Sequence, residues 1–245
     1  MKGSTEERYA AESLQGESIA GGLEGVWGWS TPAGKLRAAR RAEFLANAAG
    51  LGPGVRCLEL GAGTGEFTVR LAESGCALVA LELSVATAEI CRVRLGGLAE
   101  VVVGNAETGE GVSGREFDAV VGVSVLHHLD LDACLRTMRT LLRSGGRFAF
   151  SEPNMANPQV WAERHLEVVR RRRHVTPHET AFRPGPLRTA FEQAGFSVDV
   201  CELFDFLHPS TPPALIPAAQ RVGSALERTP VRQIAGSIRI AGRRL

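Results

Sequence analysis

The chain has 245 residues and a mass of 26.1 kDa, room for one large domain or for one domain with added elements. Hydrophobic residues make up 44% and charged residues 22%, a balance that excludes a disordered chain. With 28 basic against 27 acidic residues the formal charge is +1, so no global field recruits nucleic acid; no DNA partner is expected and an RNA partner is disfavoured. The longest apolar stretches, such as Val120–Leu126, fall far short of the roughly 20 residues that span a bilayer. The N-terminus lacks a secretory signal pattern. Five cysteines, Cys57, Cys76, Cys91, Cys134 and Cys201, form no CxxC pair, so neither a metal site nor a disulfide framework is suggested. A reduced, cytoplasmic compartment is the expectation.

The first thirty residues carry Glu6, Glu7, Glu12, Glu17 and Glu24 against Lys2 and Arg8. Residues 1–12 read as a frayed end. Residues 13–32 read as a loop or short helix able to fold over a site; Trp27 and Trp29, in a glycine-rich stretch, read either as part of a ligand-facing lid or as packing anchors. Pro32 opens a helix through about Ala49, with Leu36, Ala39, Phe44, Leu45 and Ala48 at helical spacing. From Val55 strands and helices alternate. Strands are expected at Val55–Leu60, Ala77–Glu82, Glu100–Val103, Phe117–Val123 and Arg147–Glu152, and helices at Glu66–Ser74, Val85–Leu95 and Leu131–Leu142. That rhythm predicts βαβ units: an α/β, Rossmann-like, mostly parallel sheet with helices on both faces.

After Glu152 the rhythm changes. Pro153, Pro158, Pro177, Pro184 and Pro186 punctuate a stretch with one helix, about Val160–Arg173. A helix at Pro186–Gln193 leads into a strand at Phe196–Glu202. The Pro-rich connection Pro209–Pro217 precedes a helix at Ala218–Glu227. The chain closes on the alternating strand Ser237–Ala241, which suits an edge or antiparallel position. The organisation read from this is a lid segment, 1–32, and one domain, 33–245. The domain has its core at 55–154, a helical insertion at 155–185 after the fifth strand, and C-terminal strands and a helix at 186–245.

The most informative run is Leu58-Glu59-Leu60-Gly61-Ala62-Gly63-Thr64-Gly65. A buried strand enters three glycines at alternate positions and a helix follows. Such a loop lets a ligand lie against bare backbone, and an open α/β sheet binds nucleotide-like ligands at this edge. The dinucleotide spacing GxGxxG fails here, because the third glycine would fall on Glu66. A dehydrogenase reading also lacks a Tyr-x-x-x-Lys pair, since the one tyrosine is Tyr9.

The pattern Glu59-x-Gly61-x-Gly63-x-Gly65 resembles the first motif of the class I S-adenosylmethionine-dependent methyltransferases. Three further features are similar to that family in order and spacing. The second strand ends in Glu82. The third ends in Gly104-Asn105-Ala106-Glu107. The fourth and fifth end in Ser124-Val125-Leu126-His127-His128-Leu129 and Glu152-Pro153-Asn154. The family usually has an aspartate where this chain has Asn105, whose amide oxygen can still accept a hydrogen bond. The likeness covers Val55–Asn154, and Phe182–Glu202 and the last strand fit as the sixth and seventh strands, the last one antiparallel.

The resemblance implies S-adenosylmethionine as methyl donor and S-adenosylhomocysteine as product. It places Glu59 and Gly61, with Ala62, Gly63 and Gly65 of the loop, near the methionine portion. It places Glu82 at the ribose, Leu83 beside the adenine, Asn105 and Ala106 at the adenine edge, and Val123 and Ser124 near the sulfonium. Catalytic candidates are His127, His128 and Glu152, at the sheet edge where an acceptor would approach. Asn154, His165, His178 and Arg170 are candidates for acceptor contact, with Trp27 and Trp29 from the lid. Apolar residues of the later segments (Val160, Trp161, Leu166, Phe182, Leu207, Leu215, Ile216) suit a partly hydrophobic acceptor. The expectation is methyl transfer to a hydroxyl of a small molecule: a natural product, sugar or lipid-like compound. Carbon or nitrogen methylation of a natural product or quinone-like compound is one alternative, and a non-catalytic cofactor-binding partner protein is another. No pattern in the chain assigns an oligomeric state.

Overall fold

The computed structural model describes residues 5–20, 28–176 and 178–245. Trp27 lies outside the described residues. Seven strands form one sheet in the order β3-β2-β1-β4-β5-β7-β6: β1 Arg56–Leu60, β2 Ala77–Glu82, β3 Glu100–Val103, β4 Phe117–Val123, β5 Leu142–Pro153, β6 Phe196–Phe204 and β7 Ser237–Arg244. The first five pair in parallel. β7 runs antiparallel between β5 and β6. It therefore has the antiparallel direction read from its alternation, but β6, not β7, takes the edge.

Because side chains alternate across a strand, Leu58 and Leu60 of β1 enter one core and Cys57 enters the other. On the first face, α5 (Leu131–Leu141) and α8 (Pro184–Gln193) cover Val120, Phe148, Phe150 and Ile240. Phe148 stacks on Phe191 at 4.6 Å and meets Phe196 edge-on at 5.4 Å. Emptying such a position typically costs about 3–5 kcal/mol. On the other face, α2 (Pro32–Ala49), α3 (Glu66–Ala72) and α4 (Val85–Leu95) pack. The buried stripe of α2 is Ala38, Arg41, Ala42, Leu45 and Ala49. Of the stripe expected from spacing, only Leu45 is buried, and Leu36 is exposed.

Three further expectations change. Residues 5–12, expected within a frayed end, are helical: α1 spans Thr5–Ala20, and its second half falls where a loop or short helix was expected. Gly16 lets it approach the start of α4, where an added Cβ would sit 2.4 Å from the Ser84 Cβ. The single helix expected at Val160–Arg173 is two, α6 (Pro158–His165) and α7 (Glu167–Arg172), broken at Leu166 with extended backbone, φ −101° and ψ 109°. Neither has a buried residue, so no packing face enforces a continuous axis. Strand β5 begins five residues early, at Leu142, opposite Phe117. The helix α9, Ile216–Leu226, lies in the connection between β6 and β7.

Candidate active site

The carboxyl ends of the central strands open onto a cavity of about 460 Å³, at the point where strand order reverses between β1 and β4. The glycine loop forms its floor. Gly61 has φ +66°, and a Cβ there would strike Val125 at 2.4 Å, so both its conformation and its space require glycine. Gly63 has φ +55°, and an added Cβ would meet no atom within 4 Å. Bare backbone therefore faces open cavity, as a cradle for a ligand needs.

Glu82 ties this half together. Its Oε2 accepts from the Gly63 N–H at 2.8 Å, and its Oε1 accepts from the Ser84 N–H at 3.0 Å and the Thr87 hydroxyl at 3.1 Å. The carboxylate is thus oriented at the cavity wall beside Leu83, Asn105 and Ala106. Asn105 Oδ1 accepts from the Glu107 N–H at 2.8 Å, which leaves one lone pair on that oxygen for a ligand. Val123 and Ser124 complete this wall, Ser124 with a left-handed backbone at φ +52°. Glu59 lies behind the loop, not on the cavity wall. It is 2% exposed, and among the described residues its Oε2 has no partner. Burial pushes its carboxyl up to about 7, against a hydrogen bond from Thr68 and with help from the charge of Glu82. Gly65 likewise supports from behind, next to Cys91.

The other half of the cavity is built around two histidines. The 3-10 turn Leu126–His128 follows β4. Glu152, 1% exposed at the end of β5, lies beneath it. Its Oε1 accepts from the N–H groups of Val125 and Leu126 at 3.0 and 2.9 Å, and its Oε2 is 2.8 Å from His127 Nδ1. Burial pushes Glu152 up to about 7, against those backbone donors. Burial and the charge of His128 hold His127 well below the ordinary imidazole range, so its ring is neutral near pH 7. With Glu152 ionised, Nδ1–H is the donor and Nε2 carries the lone pair. Nε2 lies 3.8 Å from Glu179 Oε2. His128 is different. Burial opposes its charge, yet Glu12 and Glu179 raise it to about 9, and its Nδ1 is 2.8 Å from Glu12 Oε2. Burial also opposes ionisation of Glu12 and Glu179, but the His128 charge holds both below the ordinary carboxylate range.

Helix α1 roofs the cavity through polar contacts. Arg8 forks onto Glu107, and the Tyr9 hydroxyl donates to the same carboxylate at 2.9 Å. Glu12 accepts from the Thr176 hydroxyl at 2.9 Å, and Gln15 donates to Glu179 at 3.2 Å. The opposite wall holds Trp29, edge-on to Phe67 at 5.2 Å, with the guanidinium carbons of Arg37 and Arg41 5.2 and 5.3 Å from its ring centre. Arg37 Nε and Arg41 Nη2 both donate to Asp205 Oδ2, at 2.8 and 2.6 Å, and Arg41 also reaches the Ser237 hydroxyl at 2.6 Å.

Sequence reasoning brought the glycine loop, Glu82, Leu83, Asn105, Ala106, Val123, Ser124, His127, His128 and Trp29 to one cavity. Four proposed acceptor contacts lie off its wall. Asn154 is fully buried and donates to the carbonyls of Gln233 and Ala235 at 2.9 and 2.7 Å, pinning the end of β5. His165 stacks on Trp161, exposed on α6. Arg170 pairs with Glu167. His178 gives way to its neighbour Glu179, and His165 to Arg164. Of the apolar residues expected at an acceptor, Val160 and Leu207 line the cavity, while Trp161, Leu166 and Leu215 are exposed and Ile216 packs on Ala33. The missed residues include Arg8, Tyr9, Glu12, Arg37, Arg41, Glu163, Arg164 and Asp205. A signal existed for two of them: Arg37 and Arg41 are one turn apart on the face that buries Ala38 and Ala42. His127, His128 and Glu179 have donor atoms within 4.8 Å of one another, the kind of group that can hold a metal ion. Here internal counter-charges serve them: Arg164 is 3.1 Å from Glu179 Oε2, and Glu12 is on His128.

A family model described as a methyltransferase domain matches residues 33–200. The chain is 33% identical over 128 residues to a demethylmenaquinone methyltransferase of Mycolicibacterium paratuberculosis, an alignment covering 51% of this chain and 53% of that protein. The chain thus matches about half the length of the curated relatives. Among solved structures it is similar to the putative methyltransferase in a complex with the Haloferax volcanii Trm112 activator, at TM-score 0.63 and 16% identity, covering 98% of this chain and 97% of that one. It is also similar to the N-methyltransferase NodS of Bradyrhizobium japonicum, solved with S-adenosyl-L-homocysteine, at TM-score 0.59 and 14% identity, covering 88% and 89%. At these identities the solved structures attest the fold.

Proposed function

The chain belongs to the methyltransferase-domain family, and from that premise we propose that it transfers a methyl group from S-adenosylmethionine to a hydroxyl of a small-molecule acceptor. The observation that carries the reading is a buried imidazole at the edge of a glycine-loop cavity, its Nδ1 2.8 Å from a buried carboxylate and its pKa held well below the ordinary range by burial, so that Nε2 is the nitrogen left to take a proton when Glu152 is ionised.

The residues fit the cofactor. Gly63 leaves room for it, the Glu82 carboxylate is positioned for ribose hydroxyls, and Asn105 and Leu83 stand at the adenine end. When bound, S-adenosylmethionine supplies a methyl on a positively charged sulfur, which leaves as a neutral thioether. His127 Nε2 takes the proton of the acceptor hydroxyl as its oxygen attacks. Glu152 holds the Nδ1–H tautomer and offsets the imidazolium charge. Such a base contributes about 10²–10⁴-fold, and orientation within the cavity contributes more. His128 stays charged against Glu12 and serves to hold the roof. Helix α1 acts as the lid, and the insertion at 155–185 supplies the acceptor wall through Val160, Glu163, Arg164 and Arg173.

A second reading, methyl transfer to carbon of a quinone-like acceptor, draws on the similarity to a demethylmenaquinone methyltransferase. Calorimetry with S-adenosylmethionine, S-adenosylhomocysteine and NAD tests the premise of both. Micromolar binding of the first two with none of NAD is expected, and its loss in Glu82→Ala. Equal binding of NAD, or none of the adenosyl ligands, would refute the assignment. NMR of the methylated product separates oxygen from carbon.

A further inference from the structure

The acceptor side of the cavity has an excess cation. Four guanidiniums, Arg37, Arg41, Arg164 and Arg173, face three carboxylates, Glu163, Glu179 and Asp205. Three close pairs account for the carboxylates: Arg41 with Asp205 at 2.6 Å, Arg164 with Glu179 at 3.1 Å and Arg173 with Glu163 at 3.1 Å. Glu12 and His128 balance one another. Arg37 is the fourth guanidinium. It shares the Asp205 oxygen already taken by buried Arg41, and it does so through Nε. Among the described residues its Nη1 and Nη2 donate to nothing.

Arg37 is also held in place. Asp205 fixes Nε, Trp29 lies 5.2 Å from the guanidinium carbon, and the side chain is 15% exposed. A fixed guanidinium edge with its terminal N–H groups unused matches a carboxylate or phosphate bidentately. Of its neighbours, Trp29 packs on Phe67 just past the glycine loop, while Asp205 and His208 lie on the acceptor side. Asp205 follows β6, and His208 feels the charges of Arg37, Arg173 and Glu163. Apolar Val160, Val175 and Leu207 line the same cavity as His127.

On the proposed reading of this site as a methyltransferase centre, we infer that the acceptor is an anion: an apolar body carrying a carboxylate or phosphate that binds Nη1 and Nη2 of Arg37, with its hydroxyl at His127. The same fork could instead take the carboxylate of the cofactor's amino-acid end, so the test separates the two sources.

Protein saturated with S-adenosylhomocysteine is titrated with 4-hydroxybenzoate and with its neutral counterpart 4-hydroxybenzyl alcohol, followed by NMR line shifts. At least a tenfold preference for the anion is expected in the wild type. It should disappear in Arg37→Ala and in Arg37→Gln, the latter keeping the bulk should the former fail to fold. Affinity for S-adenosylhomocysteine should stay within about twofold. No preference for the anion, or one that survives both substitutions, would overturn the inference. So would a tenfold loss of S-adenosylhomocysteine affinity with 5′-methylthioadenosine unaffected, which would assign Arg37 to the cofactor carboxylate. Failure of wild-type protein to bind S-adenosylhomocysteine at all would instead sink the cofactor assignment.

Discussion

Glu152→Gln isolates the proposed base. Oε1 of Glu152 accepts two backbone N–H groups, at 3.0 and 2.9 Å. An NH2 group cannot replace that oxygen without opposing two buried donors. The glutamine therefore keeps its carbonyl there and turns its NH2 toward His127 Nδ1, where Oε2 stood at 2.8 Å. Nδ1 must then accept, and the ring proton moves to Nε2. Keeping the original tautomer would oppose N–H to N–H in a buried site, a penalty of about 1–3 kcal/mol, which makes the base-competent tautomer a minor species. Losing the carboxylate that offsets the imidazolium charge adds to this. The expected fall in kcat for a hydroxyl acceptor is about 10²–10⁴-fold, with S-adenosylhomocysteine affinity unchanged. Above pH 7, where Glu152 is ionised, long-range ¹H–¹⁵N spectra report the tautomer without any acceptor: Nδ1–H in the wild type, Nε2–H in the variant. Retention of Nδ1–H in Glu152→Gln, or a kcat within threefold of wild type, would refute the reasoning.

Other substitutions test the electrostatics. Glu59→Gln removes a buried carboxyl raised to about 7. A raised acid binds protons more tightly in the folded state, so wild-type stability should fall as pH rises from about 4.5 to 7. The variant should gain on the wild type across that window, by at most about 3 kcal/mol, read from urea unfolding at pH 5 and pH 8. Asp205→Ala strands two guanidiniums, one of them buried, and should cost about 3–5 kcal/mol in the same assay; a loss under 1 kcal/mol would contradict the pairing. Glu12→Gln removes a carboxylate that raises His128 to about 9, so its NMR titration should move down. The stability contributed by that charge is full below about pH 6.5 and is lost as pH rises through 9 in the wild type; an unshifted titration would show that Glu12 does not set it.

Where a fold signal is local, the sequence carried it. The helices α2 and α4 and the strands β2, β3 and β4 have the expected bounds, because each has its punctuation nearby: Pro32 and Gly50 around α2, Ser84 and Gly96 around α4. The first half of helix α1 was illegible for the opposite reason. The helix has no apolar stripe, and Leu14 is 61% exposed. What holds it is polar, through partners 98 to 164 residues away. The break at Leu166 was illegible too, since α6 and α7 have good helix formers on both sides and nothing buried to align them.

The same division runs through the site. Its floor is made of neighbours in sequence: Gly63 and Glu82, bonded to each other, are 19 residues apart and lie on adjoining strand ends. A motif can therefore announce it. The acceptor side is made of pairs that only folding creates. Arg41 and Asp205 are 164 residues apart, as are Glu12 and Thr176. Residue type also misleads there. Histidine attracts attention, yet His165 turns to Trp161 and His178 yields to Glu179, because the residue beside each presents its side chain to the cavity. The residues that take their place are charged in spite of burial: Arg164 and Glu179 have exchanged water for each other at 3.1 Å, and such a pair is stable only in one geometry. Each pair therefore fixes the position of its wall, and the charge left over at Arg37 is where these walls can discriminate among acceptors.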